Sequence, residues 1–202
     1  VMMPEMDGLT MLEKLKNDQR TSHIPVVMLT AKADITSKLA GLERGADEYL
    51  AKPFNEDELH MRLKKLIELR KQLRERYTSM ELLPQTNNRA FQAEDTFMMK
   101  IRGIMELHLD DDQFGIHELC IEIGMSRAQL YRKFKSLTNK TVNEYLINFR
   151  LFKAKEMLLT SGLNVSEVAY EVGFKNLSHF SRAFREVFGQ NPSDLKKSES
   201  RQ

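Results

Sequence analysis

Residues Asn164–Pro192 read NVSEVAYEVGFKNLSHFSRAFREVFGQNP, and their spacing decides the fold of the C-terminal half. Asn164 followed by Glu167 starts a helix with a capping box. Val165, Val168, Ala169 and Val172 recur on one helical face. Gly173 sits where a tight turn needs positive φ, and Phe174 plugs that turn. Asn176 caps a second helix whose apolar stripe is Leu177, Phe180, Phe184 and Val187/Phe188. Ser178, His179, Ser181, Arg182 and Arg185 fall off the stripe and face outward. Two short helices around a glycine turn, the second with a polar and basic face, are a helix-turn-helix.

The pattern occurs twice. Ile116, Glu118, Leu119, Cys120, Ile123, Gly124 and Met125 match Val165 through Phe174 at an offset of 49. Beyond the turn, Leu130, Arg132 and Phe134 match Phe180, Arg182 and Phe184 at an offset of 50. A one-residue slip inside a turn is a tolerated insertion. Ser126 and Gln129 box the second helix of this first unit. The two units therefore span 114–136 and 164–188. Between them a helix over 142–160, boxed by Thr141 and Glu144, carries two apolar stripes. One is Val142, Tyr145, Leu146, Phe149 and Phe152; the other is Ile147, Leu151, Ala154 and Leu158. The stripes face opposite ways, so this helix is expected to be buried on both sides as a strut. A further helix is expected from about Asp95 to Leu109.

The net charge of +2 hides a segregation. Residues 94–122 hold two basic and eight acidic side chains; residues 126–155 hold eight basic and one acidic. Positive charge gathers around the first unit's second helix, as phosphate neutralisation requires. There Leu130 and Phe134 must face inward, leaving Arg127, Ala128, Tyr131 and Arg132 outside. Arg132 has the fork that reads guanine, and Ala128 suits a thymine methyl. On the other unit Asn176, Ser178, His179 and Arg182 are the candidates. Asn176 also fits as a helix cap, His179 as a phosphate or packing contact, and Tyr131 can lie along the surface. Lys135, Lys140 and Arg185 suit phosphate, which positions without specifying.

Gly173-Phe174, Ser178-His179-Phe180, Phe184, Phe188-Gly189 and Asn191-Pro192 give residues 94–198 a resemblance to the AraC family of transcription regulators. The resemblance implies two recognition helices entering successive major-groove segments of double-stranded DNA, roughly 34 Å apart. Residues at the positions of Arg127, Ala128, Tyr131 and Arg132 read bases in that family.

The N-terminal segment reads differently. Leu9, Leu12 and Leu15 with Met11 make a helix after Asp7-Gly8. Val26–Thr30 is a β-branched apolar run of the buried parallel-strand kind. A helix is expected over about Asp34–Arg44, a strand over Ala46–Ala51, and a helix from the Asn55/Glu58 box. This is an α/β pattern with a parallel sheet. The fold class is therefore mainly α: an all-α double helix-turn-helix domain preceded by an incomplete α/β segment. Met3-Pro4, Met6-Asp7-Gly8, Pro25, Leu29-Thr30-Ala31, Gly45-Ala46-Asp47, Tyr49 and Lys52-Pro53-Phe54 resemble the second half of a response-regulator receiver domain. That resemblance makes Thr30 and Lys52 contacts to an aspartyl phosphate, Tyr49 an aromatic rotor and Lys52-Pro53 a cis peptide. The phospho-accepting aspartate and the acidic pair that holds Mg2+ belong before Val1. No cofactor is therefore expected in this fragment, and DNA binding is expected to be independent of phosphorylation.

Residues 1–77 are thus assigned to the receiver part, 78–93 to a linker and 94–198 to the DNA-binding domain. Leu59, Leu63, Leu66, Arg70, Leu73 and Tyr77 form a short heptad seam. Lys64, Lys65, Lys71, Arg74 and Arg76 surround it. The seam implies a helix that pairs with a second copy, giving a homodimer through the receiver-like segment or helix 56–77; a solvated amphipathic helix fits equally. Ser79–Ala93 lacks a period and reads as a flexible connector.

The hydrophobic content of 41% supports packed cores. No apolar run reaches the roughly 18 residues of a membrane span. A signal peptide is not evident, and the single cysteine, Cys120, suits a buried position in a reducing cytoplasm. No metal-spaced His/Cys cluster, phosphate loop or nucleophile elbow points to an enzyme. The reading is a DNA-binding regulator at the output end of a two-component phosphorelay, served by a histidine kinase domain. The alternative is a protein-interaction module built on the receiver-like segment and basic helix.

Overall fold

The computed structural model describes residues 6–30, 46–80 and 89–199. It is mainly helical, with one two-stranded parallel sheet among the described residues. The chain divides into two compact units. One comprises Val1–Met98 with Ala128–Asn139, the other Met99–Arg127 with Lys140–Gln202.

In the first unit, Asp7 caps helix α1 (Gly8–Asn17), accepting from the amides of Leu9 and Thr10 at 2.9 and 3.0 Å. Strands β1 (Val27–Thr30) and β2 (Glu48–Ala51) pair in parallel, Met28 opposite Tyr49 and Thr30 opposite Ala51. Leu12, Met28, Ala46 and Tyr49 form the small core beside them. The helix expected over Asp34–Arg44 lies outside the described residues. The Lys52–Pro53 peptide is cis.

Helix α2 (Glu56–Thr78) begins at the Asn55 cap, with Glu56, Asp57 and Glu58 in its first turn complementing the helix dipole. The buried Glu48 carboxylate ties it to β2, accepting from Arg62 at 2.6 Å and Lys65 at 2.9 Å. Part of the expected heptad seam turns inward within this unit. Leu66, Leu73 and Tyr77 are buried, and the Arg70 guanidinium donates to the His23 carbonyl. Met61 and Ile67 remain exposed. Tyr77 donates to Asp95 at 2.6 Å, and Arg76 forks onto the same carboxylate at 3.0 and 2.8 Å.

Helix α3 spans Arg89–Leu107, so it starts inside the stretch read as a connector. Ala90, Gln92 and Ala93 are strong helix formers without an apolar period, and propensity prevails over the missing pattern.

His23 is half-buried, and its Nδ1 has no hydrogen-bond partner among the described residues. Burial pulls its pKa from 6.5 down to about 4, opposed by Glu94 and reinforced by Lys133, Arg70 and Lys16. The unfolded chain takes up this proton first as pH falls. His23 therefore contributes stability above pH 6.5 that is lost between 6.5 and about 4. Acid melts of His23→Gln should be flatter than wild type across that window; parallel curves would refute this.

In the second unit, helix α4 (Ile116–Ile123) comes first, and helices α6 (Val142–Thr160), α7 (Val165–Glu171), α8 (Leu177–Phe188) and α9 (Pro192–Glu199) surround a core. Helix α5 (Arg127–Thr138) follows α4 in the chain. The core gathers Leu151, Ala154 and Leu158 of α6 with Val168, Phe180 and Phe184. The opposite stripe of α6 is also buried at Val142, Tyr145, Leu146 and Phe149, and Tyr145 accepts from Arg102 at 2.8 Å. Phe152 departs from the expected stripe. It is 38% exposed and lies edge-on to Phe188 at 5.1 Å. Cys120 is half-buried rather than buried, because it lies beside the inward face of α4 that Leu119 and Ile123 occupy. Helix α9 was not expected; Pro192 opens it where the missing N–H is harmless, and Leu195 anchors it in the core.

Candidate nucleic-acid interface

The two turns of the repeat are built alike. Gly124 has φ 71° and Gly173 φ 75°. After each comes a 12-residue helix, α5 and α8. On α5, Leu130, Phe134 and Leu137 are buried, while Arg127, Ala128, Tyr131 and Arg132 are exposed and Lys135 half-exposed. At 100° per residue these five fall on one arc of roughly 140°. On α8, Phe180, Ala183 and Phe184 are buried, while Ser178, His179, Arg182 and Arg185 are exposed on an arc of roughly 120°. The predicted candidates thus assemble as two separate polar faces, each carried on a helix anchored by aromatic and aliphatic side chains.

Individual residues differ in what they have left to offer. Asn176 is exposed, and its Oδ1 caps α8 by accepting from the Ser178 and His179 amides at 2.8 and 3.0 Å. The His179 ring lies 5.6 Å from that of Phe174. Lys135 Nζ donates to the Asn139 carbonyl at 2.8 Å, closing the end of α5. Phe174, Lys175, Asn176, Ser178 and Arg182 line an open cleft at the start of α8. Asp112 stands 3.4 Å from Lys175 and partly offsets its charge.

The basic excess read over 126–155 includes two side chains that do not face solvent. Lys133 is fully buried and paired with Glu94 at 3.0 Å. Arg150 is 8% exposed, and burial pulls its pKa below the usual arginine value against Asp111 and Asp112. Its guanidinium donates to the Asp111 carbonyl at 2.5 Å and the Gly173 carbonyl at 3.3 Å. It therefore braces the second turn rather than meeting a phosphate. Charge counting cannot separate these cations from surface ones, because their partners are remote in sequence.

In the receiver part, the register places Thr30 opposite Ala51, and the Lys52 amide donates to the Thr30 carbonyl at 2.7 Å. Thr30 and Lys52 therefore meet at the carboxyl ends of the two strands, where α/β sheets bind ligands. The Lys52 side chain is exposed; Thr30 and Tyr49 are buried. Among the described residues, no group of three or more His, Cys, Asp or Glu side chains converges to hold a metal ion. Among them also, no helix is long and apolar enough to cross a membrane.

Residues 119–198 match the family model of a helix-turn-helix domain, and residues 1–64 that of a response regulator receiver domain. The whole chain is 37% identical to a segment of histidine kinase P4 from Formosa agariphila, covering 15% of that protein. A third of the chain is 45% identical to the DNA-binding dual master transcriptional regulator RpaA of Synechocystis, covering 28% of it. The solved DNA-binding domain of AdpA, in complex with a target DNA, is 30% identical, with TM-score 0.48 over 52% of this chain and 94% of that one. The chain spans only a small part of the length of both curated relatives.

Proposed function

We propose that this chain, which belongs to the AraC-type helix-turn-helix transcription regulators joined to a response-regulator receiver, is the sequence-reading output end of a two-component phosphorelay. The observation that carries the reading is the duplicated turn-and-helix, with an outward polar and basic face on both copies. Arg132 and Arg182 supply the forks for guanine; Arg127, Ala128, Tyr131, Ser178 and His179 add edge contacts; Lys135 and Arg185 hold phosphates. Asn176 serves first as the cap that orients α8. The likeness to a histidine kinase over the full length of the chain supports a hybrid sensor kinase as the parent, acting in the cytoplasm. Its phosphorylation pocket would take Thr30, Tyr49 and Lys52 from this segment, with Mg2+ held by acidic residues outside it.

Gel shifts on duplexes selected from a random pool test this. Arg132→Ala and Arg182→Ala should each cost about 1–3 kcal/mol on the best duplex and little on unrelated ones. Binding should weaken steeply with added salt. Failure of the wild type to bind any duplex would overturn the reading. Binding should need no acetyl phosphate.

A second copy is the partner proposed for the N-terminal part of α2. Met61 and Ile67, 68% and 69% exposed, lie there among charged neighbours. Sedimentation of Ile67→Glu against wild type tests it; two identical monomeric profiles would refute it.

A further inference from the structure

The first recognition helix is held by elements of the receiver part. Lys133 of α5 is fully buried, and three oxygens surround its ammonium. Nζ donates to the Gln19 carbonyl at 2.7 Å and to Ser22 Oγ at 2.9 Å, and pairs with Glu94 at 3.0 Å. Ser22 Oγ in turn donates to the other Glu94 oxygen at 3.0 Å, closing a triangle. The ammonium also sits 4.4 Å from the centre of the Phe97 ring. At the far end of α5, Arg74 of α2 donates to the Ser136 carbonyl at 3.2 Å, and Thr78 to the Thr138 carbonyl at 3.1 Å. Gln19 and Ser22 belong to the loop between α1 and β1, and Arg74 and Thr78 to α2. The loop between α1 and β1 and the last turns of α2, the helix that extends the receiver part, therefore grip α5 at its middle and at its end.

The grip leaves the reading face free. Lys133 lies roughly 100° around the helix from both Arg132 and Phe134, at the edge of the buried side. Arg127, Ala128, Tyr131 and Arg132 remain exposed. A grip that covered them would block DNA; this one orients them. Removing one partner of this buried pair would leave an uncompensated charge.

We propose that Lys133, with Arg74 and Thr78, are positioning residues through which the receiver part sets the aim of the first recognition helix but not the second. The proposal rests on the DNA-reading function above. Its consequence is directional: the half-site read by α5 depends on the state of α2 and the 18–22 loop. The half-site read by α8 does not.

Footprinting the full chain on a selected duplex tests this. Arg132→Ala and Arg182→Ala first assign the two protected halves. Arg74→Ala combined with Thr78→Val touches neither reading face. It should raise the protein needed to protect the Arg132-dependent half roughly tenfold and leave the Arg182-dependent half unchanged. Lys133→Met strands Glu94, so it is read beside Lys133→Met/Glu94→Gln, which removes both charges; the pair should show the same one-sided loss with a melting temperature nearer wild type. Equal loss at both halves, or no loss at either, overturns the proposal. Failure of the wild type to protect any duplex would instead sink the DNA-reading function itself.

Discussion

Gly173→Ala should destabilise the second unit by about 3 kcal/mol, whereas Gly124→Ala should cost only about 1 kcal/mol. The two glycines occupy equivalent turns and share nearly the same positive φ, 75° and 71°. Alanine meets the same left-handed penalty at both. The difference lies in the space. A Cβ on Gly173 would stand 2.6 Å from the Leu109 carbonyl oxygen and 2.8 Å from Arg150 Cζ; one on Gly124 would meet nothing within 4 Å. At Gly173 a backbone carbonyl and a buried guanidinium must both move, and the Arg150 hydrogen bonds move with them. For a unit of this size the melting temperature should fall by roughly 10–20 °C for Gly173→Ala and about 5 °C for Gly124→Ala. Calorimetry of both variants checks this, and equal drops would mean that turn conformation alone, not crowding, governs the site.

Leu151→Asp should have an even larger effect. Leu151 is fully buried in the middle of α6, packed into the core of the second helix-turn-helix. A carboxylate there has no partner and must be solvated by opening the core or neutralised, at a cost of about 4 kcal/mol or more. Leu151→Ala, which only leaves a cavity, should cost about 2–4 kcal/mol. Phe152→Asp, one residue on and 38% exposed, should cost less than either, because water reaches the new charge. Thermal melts should show the damage falling in the order Leu151→Asp, Leu151→Ala, Phe152→Asp. A Leu151→Asp melt that overlays wild type would contradict a helix buried on both stripes.

Both predictions start from residues legible in the sequence. The glycine turns follow from the 49-residue repeat, and the strut from its two stripes, because helical periodicity and capping are local. The orientation of α5 and α8 follows equally from alternation of apolar and polar residues within 12 positions. Lys133 and Arg150 were opaque for the opposite reason. The Lys133 acceptor at Gln19 is 114 residues away, and the Arg150 acceptors at Asp111 and Gly173 are 39 and 23 residues away. Nothing within a helical turn of either marks it as buried. Helix α9 opens on a legible mark, Pro192 after Asn191, but among its described side chains Leu195 is the one that joins the apolar core, too little to make a period. The early start of α3 is a matter of propensity without pattern, which periodicity cannot detect.

The Arg150 brace also bears on how freely the chain can drift. Both of its acceptors are main-chain carbonyls, so the bonds do not depend on which side chains sit at those positions. Asp111 can change without loss of its bond to Arg150, and conformation and crowding, not hydrogen bonding, hold position 173 to glycine. Arg150 has no such latitude: lysine lacks the planar fork that reaches two carbonyls from separate segments. Variation in the loop that follows α3 is therefore tolerated by a contact whose donor is not free to vary.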